Sequence, residues 1–297
     1  MKLLATLISC ILLLATPTIG AEPIDVVTTT TDIAAIVKAV GGDRVVVKSI
    51  AKGYQDPHFV EAKPSYVRLV NRARMLFNVG LELEEGWLPL LIRGARNPSL
   101  TVVDLSSGIA VLEKPSGPIS RAQGDVHPLG NPHYWLDPRN GVIMARRVAQ
   151  QLKTVGPADA AFFDQNLKSF ESEIATKRKR WEKQMARVRG AELVSYHKEW
   201  EYLVRWLGLS IIGYVEDKPG IPSTPRHLGE LVQTMRQKKV KALLASNYTN
   251  PNVPKSVAEK TGAKLVVLSS SVGGEDGIKT YPDLFDSIVS KLGPALE

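Results

Sequence analysis

A helical segment of 32 residues, Pro157 to Val188, most constrains how this chain can fold. It contains no glycine, and no proline after Pro157. At 1.5 Å per residue it spans roughly 48 Å, which is longer than an ordinary domain helix. Its apolar residues recur at steps of three, four and seven and therefore share one helix face: Phe163, Leu167, Phe170, Ile174, Trp181, Met185 and Val188. We expect a rigid rod that joins two halves of the chain.

Strand and helix patterns alternate on both sides of this rod. Ile24 to Thr30 and Val45 to Ile50 are rich in β-branched residues and predict strands, and the alternation restarts at Glu192 to Tyr196. This order predicts an α/β fold with two lobes, each a mostly parallel sheet flanked by helices, joined by one long backbone helix. The predicted division is a signal peptide at 1–21, an N-terminal α/β lobe at 22–155, the linking helix at 156–189 and a C-terminal α/β lobe at 190–297.

Individual helices can be placed within these lobes. One is predicted from Glu82 to Arg93, and a last one from Tyr281 to Leu292. Ser223-Thr224-Pro225 has the composition of a helix start, because a hydroxyl residue can cap the helix and proline fits its first turn.

The first 21 residues have the features of a secretory signal. Lys2 precedes an apolar run from Leu3 to Ala15, and small residues lead up to Ala21. The protein is therefore expected in the periplasm. Cys10 is the only cysteine, and the apolar run continues past it, so lipid anchoring is not expected.

Composition excludes several classes of function. The chain after the signal has no thiol, which rules out a disulfide, a thiolate metal site and a cysteine nucleophile. The net charge of +8 is spread along the chain, and the densest basic run, Lys177 to Arg180, lies on the long helix as an expected solvated face. Nucleic-acid binding is not expected, because it needs a concentrated basic face.

Three of the five histidines stand where strands end or where prolines stiffen a turn. His58 follows Asp56-Pro57, His133 lies in the proline-flanked segment 130–138, and His197 follows the strand that ends at Tyr196. Ligands of open α/β sheets bind at the carboxyl ends of strands, so these imidazoles can meet in the cleft between the lobes. Imidazole nitrogen suits zinc. We predict one metal site formed by His58, His133 and His197.

Other readings of these residues remain open at this point. Each of the three histidines could instead be a satisfied structural residue. His127 lies in a predicted surface loop and is expected to be solvated, with metal shuttling as the alternative. His227, on the helix after Pro225, is expected to be ordinary surface. Tyr134-Trp135 is expected to pack as core behind the site.

Four motifs in order along the chain resemble one family. They are Asp56-Pro57-His58, the segment from Asn131 to Pro138 (NPHYWLDP), Tyr196-His197, and the segment from Lys218 to Ser223 (KPGIPS). Together they resemble the periplasmic substrate-binding proteins of bacterial zinc and manganese ABC importers, the ZnuA/TroA-like family of cluster A-I. The resemblance covers nearly the whole chain after the signal.

This resemblance implies two α/β lobes, one long helix, and a metal held between the lobes as cargo. It also implies delivery to the membrane permease of an ABC importer, no catalysis, and a monomer. The family's first two ligands map onto His58 and His133, and its third, histidine or glutamate, maps onto His197. Zinc is the expected metal, with manganese or another divalent transition metal as the alternative.

The chain departs from the family at the fourth ligand. Many members have an acidic residue before a Ser/Thr-Tyr pair near the C-terminus, whereas Lys279 precedes Thr280-Tyr281 here. Asp276, Glu275 or water could replace that ligand. The loop before His133 also lacks the His-rich tract of many zinc-specific members and retains only Asp125 and His127.

Two other classes of function compete with metal transport. An exported zinc hydrolase could use a three-histidine site with an open fourth position to activate water. The chain contains no H-E-x-x-H helix motif, which weighs against that alternative. A surface adhesion protein is a third possibility, for which the residues offer no separate support.

Overall fold

The protein is described here from a computed structural model that covers residues 22–117, 123–124 and 126–297. The predicted signal peptide, Cys10 and Asp125 lie outside these residues. Within them the chain forms eight strands and nine α-helices. None of the described helices is both long and apolar enough to cross a membrane.

The N-terminal sheet has four parallel strands in the order β2-β1-β3-β4. The strands are β1 (Ile24–Thr28), β2 (Val45–Ser49), β3 (Met75–Asn78) and β4 (Thr101–Asp104). The helices between them are α1 (Thr31–Gly41), α2 (Pro64–Arg72) and α3 (Leu88–Ala95).

The C-terminal sheet repeats this arrangement with the order β6-β5-β7-β8, again all parallel. Its strands are β5 (Glu192–Ser195), β6 (Ser210–Tyr214), β7 (Ala242–Ser246) and β8 (Lys264–Leu268). Its helices are α6 (Glu201–Leu207), α7 (Pro225–Lys238), α8 (Asn252–Thr261) and α9 (Tyr281–Leu296). The predicted α/β class, with two parallel sheets flanked by helices, is confirmed.

Two long helices, α4 (Pro138–Val155) and α5 (Ala160–Met185), lie between the sheets in the sequence. The α-helix α5 has 26 residues, and a 3-10 turn of three residues at each end extends the helical backbone over 157–188. This is the predicted long helix. Its apolar face is buried, with Phe163, Ile174 and Trp181 each at most 1% exposed.

The boundaries of two helices differ from the predictions. Residues 82–87 form turns, and Leu81 and Glu82 have positive φ angles of 53° and 67°. The buried Glu84 carboxylate accepts the N–H groups of Val79 and Gly80 at 2.7 and 3.1 Å, which holds the chain in this turn until α3 begins. At the other end, α9 continues through Pro294 to Leu296, and its last turn buries Ala295 and Leu296.

The predicted start of α7 is confirmed. Thr224 is its N-cap, and the side chain of Thr224 accepts the N–H of His227 at 3.2 Å. Pro225 then occupies the first turn, where its missing N–H costs no helical hydrogen bond.

One apolar core runs through both halves of the protein. A Cβ atom at Gly141 of α4 would lie 2.2 Å from the ring of Tyr281 of α9, so only glycine permits this approach. The indole N–H of Trp135 donates to the Ser270 carbonyl at 2.9 Å, and the N–H of Val272 donates to Asp32 at 2.9 Å. These contacts hold the halves against each other. The exact domain boundaries remain predictions.

Candidate metal centre

The structure brings together the three histidines that the sequence singles out. One nitrogen from each of His58, His133 and His197 lies within 4.8 Å of the other two. Their ring centroids are 5.1, 5.7 and 5.8 Å apart. His133 and His58 are only 1% and 8% exposed, and the His197 side chain is 18% exposed. Their role as metal ligands remains a prediction.

Each of these imidazoles is oriented by an oxygen at its Nδ1. The partners are Asp56 for His58 at 2.7 Å, Asn131 for His133 at 3.0 Å and Glu216 for His197 at 2.8 Å. A carboxylate or amide oxygen can only accept, so Nδ1 carries the proton and Nε2 keeps a lone pair. Nε2 of His58 and Nε2 of His133 are buried without a hydrogen-bond partner. Metal-binding histidines are oriented in this way.

Two of the histidines are positioned by the same local motif. In Asp56-Pro57-His58 and in Asn131-Pro132-His133, one side-chain oxygen of the first residue accepts both the backbone N–H and the ring Nδ1–H of the histidine. The Asn131 amide nitrogen in turn donates to Glu201 and to the Lys198 carbonyl, both in the C-terminal half. The motif is local, so the ring orientation can be traced to the sequence.

Burial and charge set different protonation tendencies within the cluster. Burial, together with the nearby imidazoles, holds the pKa of His133 well below its ordinary value. Burial alone would lower the pKa of His197. The hydrogen bond to Glu216, together with the charges of Glu199, Glu216 and Asp56, more than offsets burial, so this pKa is raised. Burial would likewise raise the pKa of Asp56, yet its bond to His58 lowers it. The centre thus contains a neutral imidazole beside one that retains its proton more readily.

His127 lies closer to this cluster than the sequence predicts. Its ring centroid is 5.2 Å from that of His58, and it lines a cavity of about 310 Å³ together with His133 and His197. Its side chain is half-buried, which is less exposed than the sequence predicts, and its role remains a prediction. The sequence contains one signal for the nearness of His127 to His133. His127 begins the turn His127-Pro128-Leu129-Gly130, which leads directly into Asn131.

The two acidic residues predicted as alternative fourth ligands do not line the cavities beside the histidines. Glu275 pairs with Lys291 at 2.5 Å, and Asp276 is exposed. His227 is half-buried and bonds through Nε2 to the Tyr214 carbonyl at 2.8 Å. Glu216 was not predicted, although it lies two residues beyond the end of β6, the neighbour of β5, at the strand end where ligands bind.

A family profile matches residues 26–295, almost all of the described chain. The family is described as "Zinc-uptake complex component A periplasmic", ZnuA.

Curated relatives and solved structures agree with this match. The manganese ABC transporter substrate-binding lipoprotein PsaA of Streptococcus pneumoniae serotype 4 is 26% identical over 294 residues, covering 94% of this chain and 93% of that protein. The metal ABC transporter substrate-binding lipoprotein ScbA of Streptococcus cristatus is 26% identical over 272 residues, covering 88% and 86%.

Among structures, a crystal structure of ZnuA has a TM-score of 0.81 at 20% identity, covering 93% of this chain and 100% of that chain. The laminin binding protein Lmb of Streptococcus agalactiae, described as having adhesin and metal-transporting activity, has a TM-score of 0.77 at 23% identity over the same shares of the two chains. These structures establish the shared fold.

Proposed function

The chain belongs to the zinc-uptake complex component A family, whose members are metal substrate-binding proteins of ABC transporters, and on this premise we propose that its cargo is zinc, held by His58, His133 and His197. The family delivers metal ions to a membrane permease and consists of solute-binding proteins, not enzymes. The alternative of a zinc hydrolase is therefore not supported.

The observation that carries the zinc proposal is the convergence of three oriented imidazoles. With zinc–nitrogen distances of about 2.1 Å, tetrahedral ligands place their ring centroids about 5 Å apart. The ring centroids of the three histidines are separated by 5.1 to 5.8 Å. Because each Nδ1 is engaged by an oxygen, the nitrogens left for an ion are the Nε2 atoms.

The ligand types favour zinc over manganese. Among the described residues, the only group of three or more His, Cys, Asp or Glu side chains close enough to hold an ion consists of these three histidines. Imidazole nitrogen suits zinc, whereas manganese prefers carboxylate and other oxygen ligands. The relatives named for manganese are only about a quarter identical to this chain, so the proposal rests on the residues rather than on those names.

The names of the relatives correct one prediction about location. PsaA and ScbA are both named lipoproteins, which argues against the expectation that a lipid anchor is absent. Cys10 is the only thiol in the sequence and hence the only cysteine available for such an anchor. The continued apolar run after Cys10, on which the prediction rested, does not outweigh this comparison.

The cargo can be tested on the exported protein purified without chelators. We expect elemental analysis to find about one zinc per chain, and competition titrations to give zinc an affinity more than about tenfold above that of manganese, as expected for nitrogen ligands. A manganese affinity equal to or above that of zinc would show that the cargo assignment is wrong while leaving the family assignment intact.

Zinc affinity should depend on pH in a defined direction. The raised pKa of His197 means that this imidazole keeps its proton to higher pH, so zinc must displace the proton as pH falls. An imidazole with a pKa of about 6.5 is roughly ten times more often protonated than neutral at about pH 5.5. We expect affinity to fall at least about tenfold between about pH 7.5 and about pH 5.5. His133, with its lowered pKa, adds little to this fall.

A pair of carboxylate variants isolates the role of Glu216. Glu216→Gln removes one of the charges that raise the pKa of His197, so the loss of zinc affinity should begin at a lower pH. Glu230→Gln is the matched control, because Glu230 is exposed and pairs with Arg226 on α7. Identical pH profiles for the two variants would contradict the assignment to His197.

A further inference from the structure

Taking the proposed zinc site as given, we propose that His127 supplies its fourth ligand, so that four imidazoles and no carboxylate surround the ion. Three histidines leave one position of a tetrahedral zinc site open. The His127 ring lies 5.2 Å from that of His58, a separation that fits two imidazoles bound to one tetrahedral zinc ion. His127 also lines the same cavity as His133 and His197.

The segment that carries His127 is held at both of its ends. On one side, a Cβ atom at Gly124 would lie 2.3 Å from the Pro219 carbonyl oxygen, so the loop backbone rests directly on the C-terminal half. On the other side, the carbonyl of His127 accepts the N–H of Gly130 at 3.1 Å in a turn with Pro128. The next residue, Asn131, donates its N–H to Leu112 at 2.9 Å. The backbone thus keeps the His127 imidazole beside the cavity.

The carboxylates near the cavity already have other partners. Asp56 and Glu216 accept from the Nδ1 atoms of His58 and His197. Glu113 accepts from Lys198 and from the amide of Asn131, both at 3.1 Å. Asp217 also lines the cavity, but its side chain is 61% exposed and its carboxylate lies 3.9 Å from His227. An imidazole is therefore the side chain best placed to complete the shell, and a fourth nitrogen strengthens the preference for zinc over manganese.

The test compares three variants of the exported protein: His127→Ala, Asp217→Asn and His133→Ala. Zinc affinity is measured by chelator competition, and the visible spectrum of the cobalt-loaded protein reports the ligand set. We expect His127→Ala to lower zinc affinity at least about tenfold, since even the outer partners of metal ligands are worth that much. Its cobalt spectrum should change as oxygen replaces nitrogen, while Asp217→Asn keeps both the affinity and the spectrum of the parent protein.

Each other outcome has a definite meaning. Unchanged affinity and spectrum for His127→Ala, with affinity lost in His133→Ala, would overturn the fourth-ligand assignment and leave the three-histidine site standing. Loss of affinity in Asp217→Asn instead would assign the position to that carboxylate. A slower association rate at unchanged affinity would make His127 a carrier and not a ligand. Parent-like binding by both histidine variants would overturn the proposed site itself.

Discussion

Replacing His133 with alanine is expected to lower zinc affinity by more than about 100-fold. The side chain is 1% exposed, and its Nε2 is buried without a hydrogen-bond partner at the centre of the cluster. Loss of a residue that only orients a ligand costs about 10- to 100-fold, so loss of the ligand itself should cost more. Competition with a chromophoric chelator near neutral pH measures the change.

The matched control is His227→Ala. His227 is also partly buried, but it bonds to the Tyr214 carbonyl and takes no part in the close group of three. Its removal should leave zinc affinity within about threefold of the parent value. Substitutions away from special structural features usually change a free energy by no more than about 0.5 kcal/mol. Equal affinities for the two variants would mean that the ion is held elsewhere.

Replacing Trp135 with alanine should destabilise the metal-free protein by about 3–5 kcal/mol, the usual cost of removing a buried aromatic side chain. The indole is 1% exposed, lies 5.3 Å from the His133 ring, and donates to the Ser270 carbonyl of the other half. The variant therefore loses core packing, support behind the site and a bond between the halves. Urea unfolding with linear extrapolation, in the presence of a chelator, gives the free energy of unfolding.

Two companion variants make this measurement specific. Leu90→Ala changes a side chain that is 52% exposed and should alter the free energy of unfolding by no more than about 0.5 kcal/mol. Trp135→Phe keeps an aromatic ring but loses the N–H donor to Ser270, so it should fall between the two. A loss for Trp135→Ala no larger than that of Leu90→Ala would show that this contact does not join the halves.

The regular elements could be predicted because their signals are local. Strands such as Val45–Ser49 follow from β-branched runs, and α5 follows from its apolar face and its lack of glycine. The predicted helix start at Glu82 was wrong because a tertiary interaction overrides the helical pattern of residues 82–87. The buried Glu84 carboxylate binds N–H groups at the end of β3 and the hydroxyl of Thr29, and this fixes a turn.

In the site, too, the features that depend on neighbouring residues could be predicted, whereas those that depend on tertiary contacts could not. The orientation of His58 and His133 depends on residues two positions away, so the repeated Asp/Asn-Pro-His motif is visible in the sequence. The partner of His197 is Glu216, which lies 19 residues away, just beyond the end of β6. Predicting this pair requires the register of β5 and β6. The approach of His127 to His58 spans 69 residues, and the local turn before Asn131 indicates only that His127 lies near His133.

The apolar cluster that spans both halves limits how the cargo can leave. Swinging the halves apart would expose packed side chains such as Tyr281, and uncovering about 400 Å² of apolar surface costs roughly 10 kcal/mol. Thermal fluctuation rarely supplies so much, so we expect loading and unloading to proceed by small displacements of the segments around the pocket mouth. The outline of the filled and the empty protein would then be nearly the same, and a permease would distinguish them by local surface detail.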